Sequence, residues 1–109
     1  MTQEELEQIE ISNEYAKKAV NKGEALKRLL DNEDYKLIIV DGYMQQYAQD
    51  LGTAIATNTG AYDTEKLVEN LKGINTFVGY TFRVANAHAD ALQTLHDNEM
   101  FIASKTEQE

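Results

Sequence analysis

The chain contains no cysteine, no proline and no tryptophan. Without cysteine the 109-residue protein has no disulfide framework, no cysteine-ligated zinc, no iron–sulfur cluster and no thiol nucleophile. Because proline is absent and only six glycines occur, the frequent turn signals of an all-β protein are missing as well. These absences favour an all-α protein, and the length predicts a single helical domain over residues 1–109.

Basic residues are also scarce. Ten lysines and arginines stand against nineteen acids, which gives a net charge of -9 and argues against direct binding of nucleic acid through its phosphates. The longest apolar run, residues 37–40, is far shorter than the ~20 residues of a membrane span. The acidic residues 1–11 do not resemble a secretory signal either. We therefore expect a protein that neither enters a membrane nor binds nucleic acid directly.

The first helix is predicted from Ile11 to Leu30, where apolar residues recur at helical spacing. Ser12 or Asn13 is available as its N-cap. Gly23 favours a break over residues 21–23, since glycine is costly inside a helix.

The second helix is predicted over Asp34–Thr57. Its expected buried face comprises Leu37, Val40, Met44, Tyr47, Ala48, Leu51, Ala54 and Ile55. An alternative stays open for residues 35–43, because β-branched residues followed by Asp41 and Gly42 are also typical of a hairpin. The helix is expected to end at residues 58–60, where Gly60 provides a C-terminal stop.

The third helix, Asp63–Glu99, is the longest predicted element, with Asp63 or Thr64 as its cap. Its apolar stripe comprises Leu67, Leu71, Ile74, Val78, Phe82, Ala85, Ala89, Leu92 and Leu95. Residues 100–102 would add an apolar clasp. The predicted fold is a helical hairpin or bundle of about three helices with one long C-terminal helix, and with mobile ends at residues 1–11 and 104–109.

No catalytic or metal site is predicted. His88 and His96 are the only imidazoles, but they are not at the i, i+4 spacing of helical zinc pairs, and a packed histidine explains His88 better. Acid pairs are abundant, yet no nucleophile elbow, phosphate loop or dinucleotide-binding turn accompanies them. We therefore expect no enzyme and no cofactor.

Contact with other proteins is the predicted activity, and homo-oligomerisation is expected because the third helix is longer than the other elements can cover. Small residues are expected where another helix packs closely, at Gly42, Gly73 and Gly79. The predicted interface consists of aromatic and apolar side chains of the second and third helices: Tyr43, Tyr47, Leu71, Ile74, Phe77, Val78 and Phe82.

Residues 24–43 contain a Leu-Leu pair, an Asn-x-Asp-Tyr turn, an aliphatic run and a Gly-Tyr pair, followed by a second long helix. This pattern resembles small acidic tailed-bacteriophage proteins, which have no assigned function. The resemblance implies a viral origin and a role in the infected bacterium or in the particle. We expect a non-enzymatic phage protein of virion assembly, located in the host cytoplasm or the virion; the alternative is an acidic inhibitor of a host enzyme or defence complex that mimics DNA.

Overall fold

A computed structural model of the chain describes residues 1–58, 60 and 62–108, and every regular element in these residues is helical. Helix α1 spans Gln3–Asp31, helix α2 spans residues 33–57, and helix α3 spans Thr64–Gln108. The all-α fold with a long C-terminal helix is therefore confirmed. No helix in the described part of the chain is both long and apolar enough to cross a membrane.

Helix α1 begins earlier than the sequence predicts. Its N-cap is Thr2, whose Oγ1 accepts a hydrogen bond of 3.0 Å from the backbone N–H of Glu5. The expected cap at Ser12 or Asn13 is wrong, since both residues lie inside the helix. The expected break near Gly23 is also wrong, because α1 continues unbroken to Asp31.

Helix α2 is capped by Asn32, whose Oδ1 accepts a 2.8 Å hydrogen bond from the N–H of Tyr35. It is α-helical over Glu33–Tyr35, π-helical over the 12 residues Lys36–Tyr47, and α-helical again over Ala48–Thr57. The hairpin alternative for residues 35–43 is excluded. Such a long π-helix is rare, since π turns normally occur singly inside α-helices.

The wider turns of the π-helix change which side chains of α2 are covered. Most half-buried positions here recur every four to five residues, namely Tyr35, Ile39, Val40, Tyr43, Met44 and Ala48, and Gly42 is half-buried as well. Leu37 and Tyr47 are exposed, which corrects the predicted buried face at these two positions. The α-helical spacing used for the prediction does not hold where each backbone hydrogen bond spans five residues.

The connection to α3 is organised by Asn58. Its Nδ2 donates to Thr64 Oγ1 at 2.7 Å, and its Oδ1 accepts from the N–H of Gly60 at 3.1 Å. Gly60 has a φ of 95°, which confirms the predicted glycine stop. The predicted cap at Asp63 is also found, with a 3.0 Å hydrogen bond from the N–H of Glu65. Thr59 of the predicted turn lies outside the described residues.

Helix α3 is 45 residues long and continues beyond the predicted end at Glu99. The expected clasp at residues 100–102 is part of this helix, and so is the tail as far as Gln108. Glu109 lies outside the described residues.

The chain divides into two compact units, and the division falls inside α1 and α3. Unit 1 contains Met1–Leu26 and the chain from Arg83 onward, and unit 2 contains Lys27–Phe82. The prediction of a single domain stays a prediction. The buried residues of unit 1 are Ala16, Gly23, His88 and Ala91, and those of unit 2 are Leu51 and Ile74.

Candidate interaction surfaces

A close helix contact of unit 1 lies between Gly23 of α1 and His88 of α3. A Cβ built at Gly23 would overlap Cβ and Cγ of His88 and would lie 2.6 Å from its Nδ1. Because the Cβ of a histidine cannot move without its backbone, the two helices leave no room here for a side chain larger than hydrogen on α1. His88 is 7% exposed and serves as a packed side chain of this crossing, as the sequence predicts.

A polar contact fixes the register of the same two helices. Asn98 Nδ2 of α3 donates to Asn13 Oδ1 at 2.8 Å and to Ser12 Oγ at 3.2 Å. Asn98 lies opposite Ser12 and Asn13, and His88 lies opposite Gly23, so α1 and α3 are antiparallel within unit 1. A partly buried asparagine of this kind commonly specifies one register between paired helices.

One set of covered positions on each helix of unit 1 follows the alternating steps of three and four residues of a coiled coil. On α1 they are Ile9, Ser12, Ala16, Ala19, Gly23 and Leu26. On α3 they are Val84, His88, Ala91, Leu95, Asn98 and Ile102. Further half-buried residues flank this set: Glu5, Leu6, Asn13, Val20 and Ala25 on α1, and Thr94 and Lys105 on α3.

The predicted stripe of α3 is therefore wrong over most of its second half, where Leu95 is covered but the other members are not. Ala85, Ala89 and Leu92 are exposed in unit 1, and α1 covers the neighbouring, more polar face instead. The physical reason is the small contact surface of α1. Ala16 and Gly23 bring its backbone close to α3, and this spacing admits His88 and Ala91 between the helices.

In unit 2 the ring of Tyr43 joins α2 to α3. Its centroid lies 5.7 Å from that of Phe77, at an interplanar angle of 83°, and 6.1 Å from that of Tyr47. Edge-to-face contacts of this kind contribute about 0.5–1.5 kcal/mol beyond the area that they bury. Three of the residues predicted for the interface thus contact one another inside the chain.

The other predicted interface residues differ in exposure. Ile74 is 1% exposed and belongs to the core of unit 2, and Leu71 and Val78 are half-buried. Phe82 is 63% exposed and remains available to a partner. The predicted interface therefore includes both core and free surface, and its contact with another chain stays a prediction.

The glycines predicted to be closely packed are not approached by another helix of the chain. Apart from its chain neighbours and the nearby backbone of α3 itself, no described atom lies within 4 Å of a Cβ built at Gly73 or Gly79. At Gly42 the atom found is the Leu37 carbonyl oxygen, at 3.1 Å, within the same helix. The prediction is corrected for contacts inside the chain: the close approach occurs at Gly23. An approach by a second chain at the other three stays a prediction.

Exposed apolar side chains occur on both units. In unit 1 the large ones are Met1, Ile11, Tyr15, Leu92, Met100 and Phe101. In unit 2 they are Leu29, Leu30, Leu37, Ile38, Tyr47, Tyr62, Tyr80 and Phe82.

The two histidines are placed differently. His88 lies under Gly23, whereas His96 is exposed on α3. In the described part of the chain, no group of three histidine or carboxylate side chains is arranged to hold a metal ion.

Comparison with known protein families, with curated proteins and with solved structures finds no match for this chain. A function for this chain has therefore to be inferred from the geometry of its own surfaces.

Proposed function

We propose that the protein is a non-enzymatic component of phage particle assembly, or of the particle itself, and that it acts through protein–protein contacts, including contacts with further copies of itself. The phage origin rests on the resemblance of residues 24–43. The expected location is the host cytoplasm or the virion, without direct contact with nucleic acid or membrane.

The observation that carries the proposal is the exposure of large apolar side chains along helices. In unit 2, Leu37 and Ile38 are each 64% exposed on the π-helix of α2. Contiguous apolar surface on a soluble chain commonly marks a contact with another protein. Single π turns inside α-helices are also frequent at functional positions. The π-helix of α2 is therefore the surface of unit 2 that we assign to a partner protein.

Mass spectrometry of purified particles tests this role. An assembly component is expected in a constant ratio to the major structural proteins, and its absence from both particles and assembly intermediates would overturn the proposal. Leu37→Ser and Ile38→Ser are expected to reduce incorporation without changing the melting temperature, because both side chains are exposed. Gln49→Ser, at another exposed position of α2, is the matched control and is expected to leave incorporation unchanged.

Inhibition of a host enzyme by DNA mimicry is the competing function. Glu7, Glu10 and Glu14 form an acidic row on successive turns of α1. Lys17 continues this row with the opposite charge, and mimicry of a phosphate array requires uninterrupted negative charge. Recovery of the chain with a host enzyme, together with its absence from particles, would favour this function over assembly.

A further inference from the structure

Unit 1 has two rows of side chains beside the contact between its helices. The row on α1 consists of Ile11, Tyr15, Lys18 and Lys22, and the row on α3 consists of Asp90, Thr94, Asp97 and Phe101. Each row advances in steps of four, three and four residues, so each follows one face of its helix. We refer to these eight residues as the paired rows.

The paired rows lie on the same side of unit 1. One groove between the helices is lined by Tyr15 of α1 together with Asp90 and Thr94 of α3. A second groove is lined by Asp97 and Phe101, and Ser12 of α1 borders both grooves. Tyr15 is 72% exposed, and Lys18 places its Nζ 6.0 Å from the centre of the Tyr15 ring. This side of the unit is therefore an open face formed by two helices.

The two rows are also level with each other along the helices. The contact between Gly23 and His88 and the hydrogen bond between Asn13 and Asn98 fix the antiparallel register. In that register Lys22 is level with Asp90, and Ile11 is level with Phe101, to within about one residue. The basic residue Lys22 of the row on α1 therefore lies at the same height as the acidic residue Asp90 of the row on α3. The apolar residues at the other ends, Ile11 and Phe101, also lie at the same height.

We propose that this face binds a second copy of the chain, with a two-fold axis that lies in the face and runs parallel to the helices. Rotation about this axis places α1 of one copy against α3 of the other. Each residue keeps its position along the direction of the helices. Lys22 then faces Asp90 of the other copy, and Ile11 faces Phe101. Lys18 lies within one helical turn of both acids, and the Tyr15 hydroxyl is level with the Asp97 carboxylate.

Charge complementarity favours a second copy as the occupant. The chain carries a net charge of -9, so two copies associate best where each one brings lysines to the acids of the other. The self-complementary face does this twice, once on each side of the axis.

Charge reversal in the purified full-length chain tests the interface, with the mass in solution measured by sedimentation velocity over a range of concentrations. We expect a dimer that Lys22→Glu alone, or Asp90→Lys alone, weakens about tenfold or more in Kd, because each change makes two attractive pairs repulsive. The double variant is expected to restore the Kd to within about threefold of the original. Circular dichroism verifies that each variant remains helical.

Matched controls separate the interface from net charge. Lys17→Glu and Glu10→Lys make the same two charge changes on faces of α1 away from the paired rows, and they are expected to change the Kd by less than about twofold. A monomer at every concentration would overturn the inference, and so would a dimer whose Kd is unchanged by Lys22→Glu and by Asp90→Lys.

The inference rests on the self-association included in the proposed function, but its test is independent of the particle. A chain that dimerises through this face and is absent from particles would contradict the assembly role and leave the interface established. A chain that is found in particles but is monomeric in solution would contradict the proposed interface and would support the assembly role.

Discussion

The two compact units join their helices with side chains of different size. Unit 1 brings its helices together over alanine and glycine, and Gly23 packs directly on His88. Unit 2 fills the space between its helices with Leu51, Ile74 and the edge-to-face rings of Tyr43 and Phe77. The comparison shows that close packing and bulky packing coexist in one chain. It also predicts that the two units respond to opposite kinds of substitution.

Removal of volume is expected to damage unit 2 most. Ile74→Ala should lower the free energy of unfolding by about 2–5 kcal/mol, because Ile74 is 1% exposed and its loss leaves a cavity. Ile38→Ala is the matched control, with an expected change within about 0.5 kcal/mol, since that side chain is 64% exposed. Urea denaturation of both variants measures the difference. Equal effects would show that Ile74 is not the centre of this core.

Addition of volume is expected to damage unit 1. Gly23→Ala should cost about 1–3 kcal/mol, because the new Cβ would overlap His88 and force the helices apart. Gly73→Ala adds the same methyl group to α3 in open space and should stabilise the protein by up to about 1 kcal/mol. Thermal unfolding of the two variants compares them directly. A higher melting temperature for Gly23→Ala would disprove the close approach.

Loss of the polar contact in unit 1 is expected to have a smaller effect. Asn98→Ala should reduce stability by about 1–2 kcal/mol, because two partly buried hydrogen bonds to Ser12 and Asn13 are lost. Asn86→Ala, at an exposed position of the same helix, is expected to change it by less than about 0.5 kcal/mol. Chemical denaturation distinguishes the two, and an unchanged midpoint for Asn98→Ala would argue against a role in register.

The smallest effect is expected at Gly42. Alanine there gains helix propensity, but its Cβ would lie 3.1 Å from the Leu37 carbonyl oxygen within the π-helix. Gly42→Ala should therefore stabilise the protein less than Gly79→Ala, whose Cβ meets no described atom within 4 Å. Differential scanning calorimetry of the two variants measures the difference between their stabilities. A loss of more than about 1 kcal/mol at Gly42 would indicate a close approach by another chain.

Gly23 and Gly42 show why the sequence did not predict the position of close helix packing. In the sequence Gly23 interrupts an apolar pattern and therefore predicts a break, whereas Gly42 adjoins the distinctive Tyr43 and predicts a crossing. Glycine permits both outcomes, since the absence of a Cβ lowers helix propensity and also allows another backbone to approach. One signal for the correct choice was present: Ala16, Ala19 and Gly23 follow one another in steps of three and four residues, as small residues at a helix contact do.

Element type was determined largely by the sequence itself, whereas the start of α1 and the end of α3 were not, since α1 begins at Gln3 and α3 continues to Gln108. The absence of proline, the helical spacing of apolar residues and the caps at Asp63 and Gly60 are local properties, and the helices they predict are present. The main local failure is the π-helix of α2. Its composition does not distinguish hydrogen bonds that span five residues from those that span four, although this difference exposes Leu37 and Tyr47.

The tertiary structure alone decided which face of each helix is covered. The most apolar stripe of α3 continues through Ala85, Ala89 and Leu92, yet α1 packs against His88 and Ala91 instead. Hydrophobic pattern ranks the faces of a single helix, but the packing of two helices depends on how closely their backbones approach and on which polar groups meet. Gly23 and Asn98 satisfy those conditions only when both helices are present, because each acts through its partner.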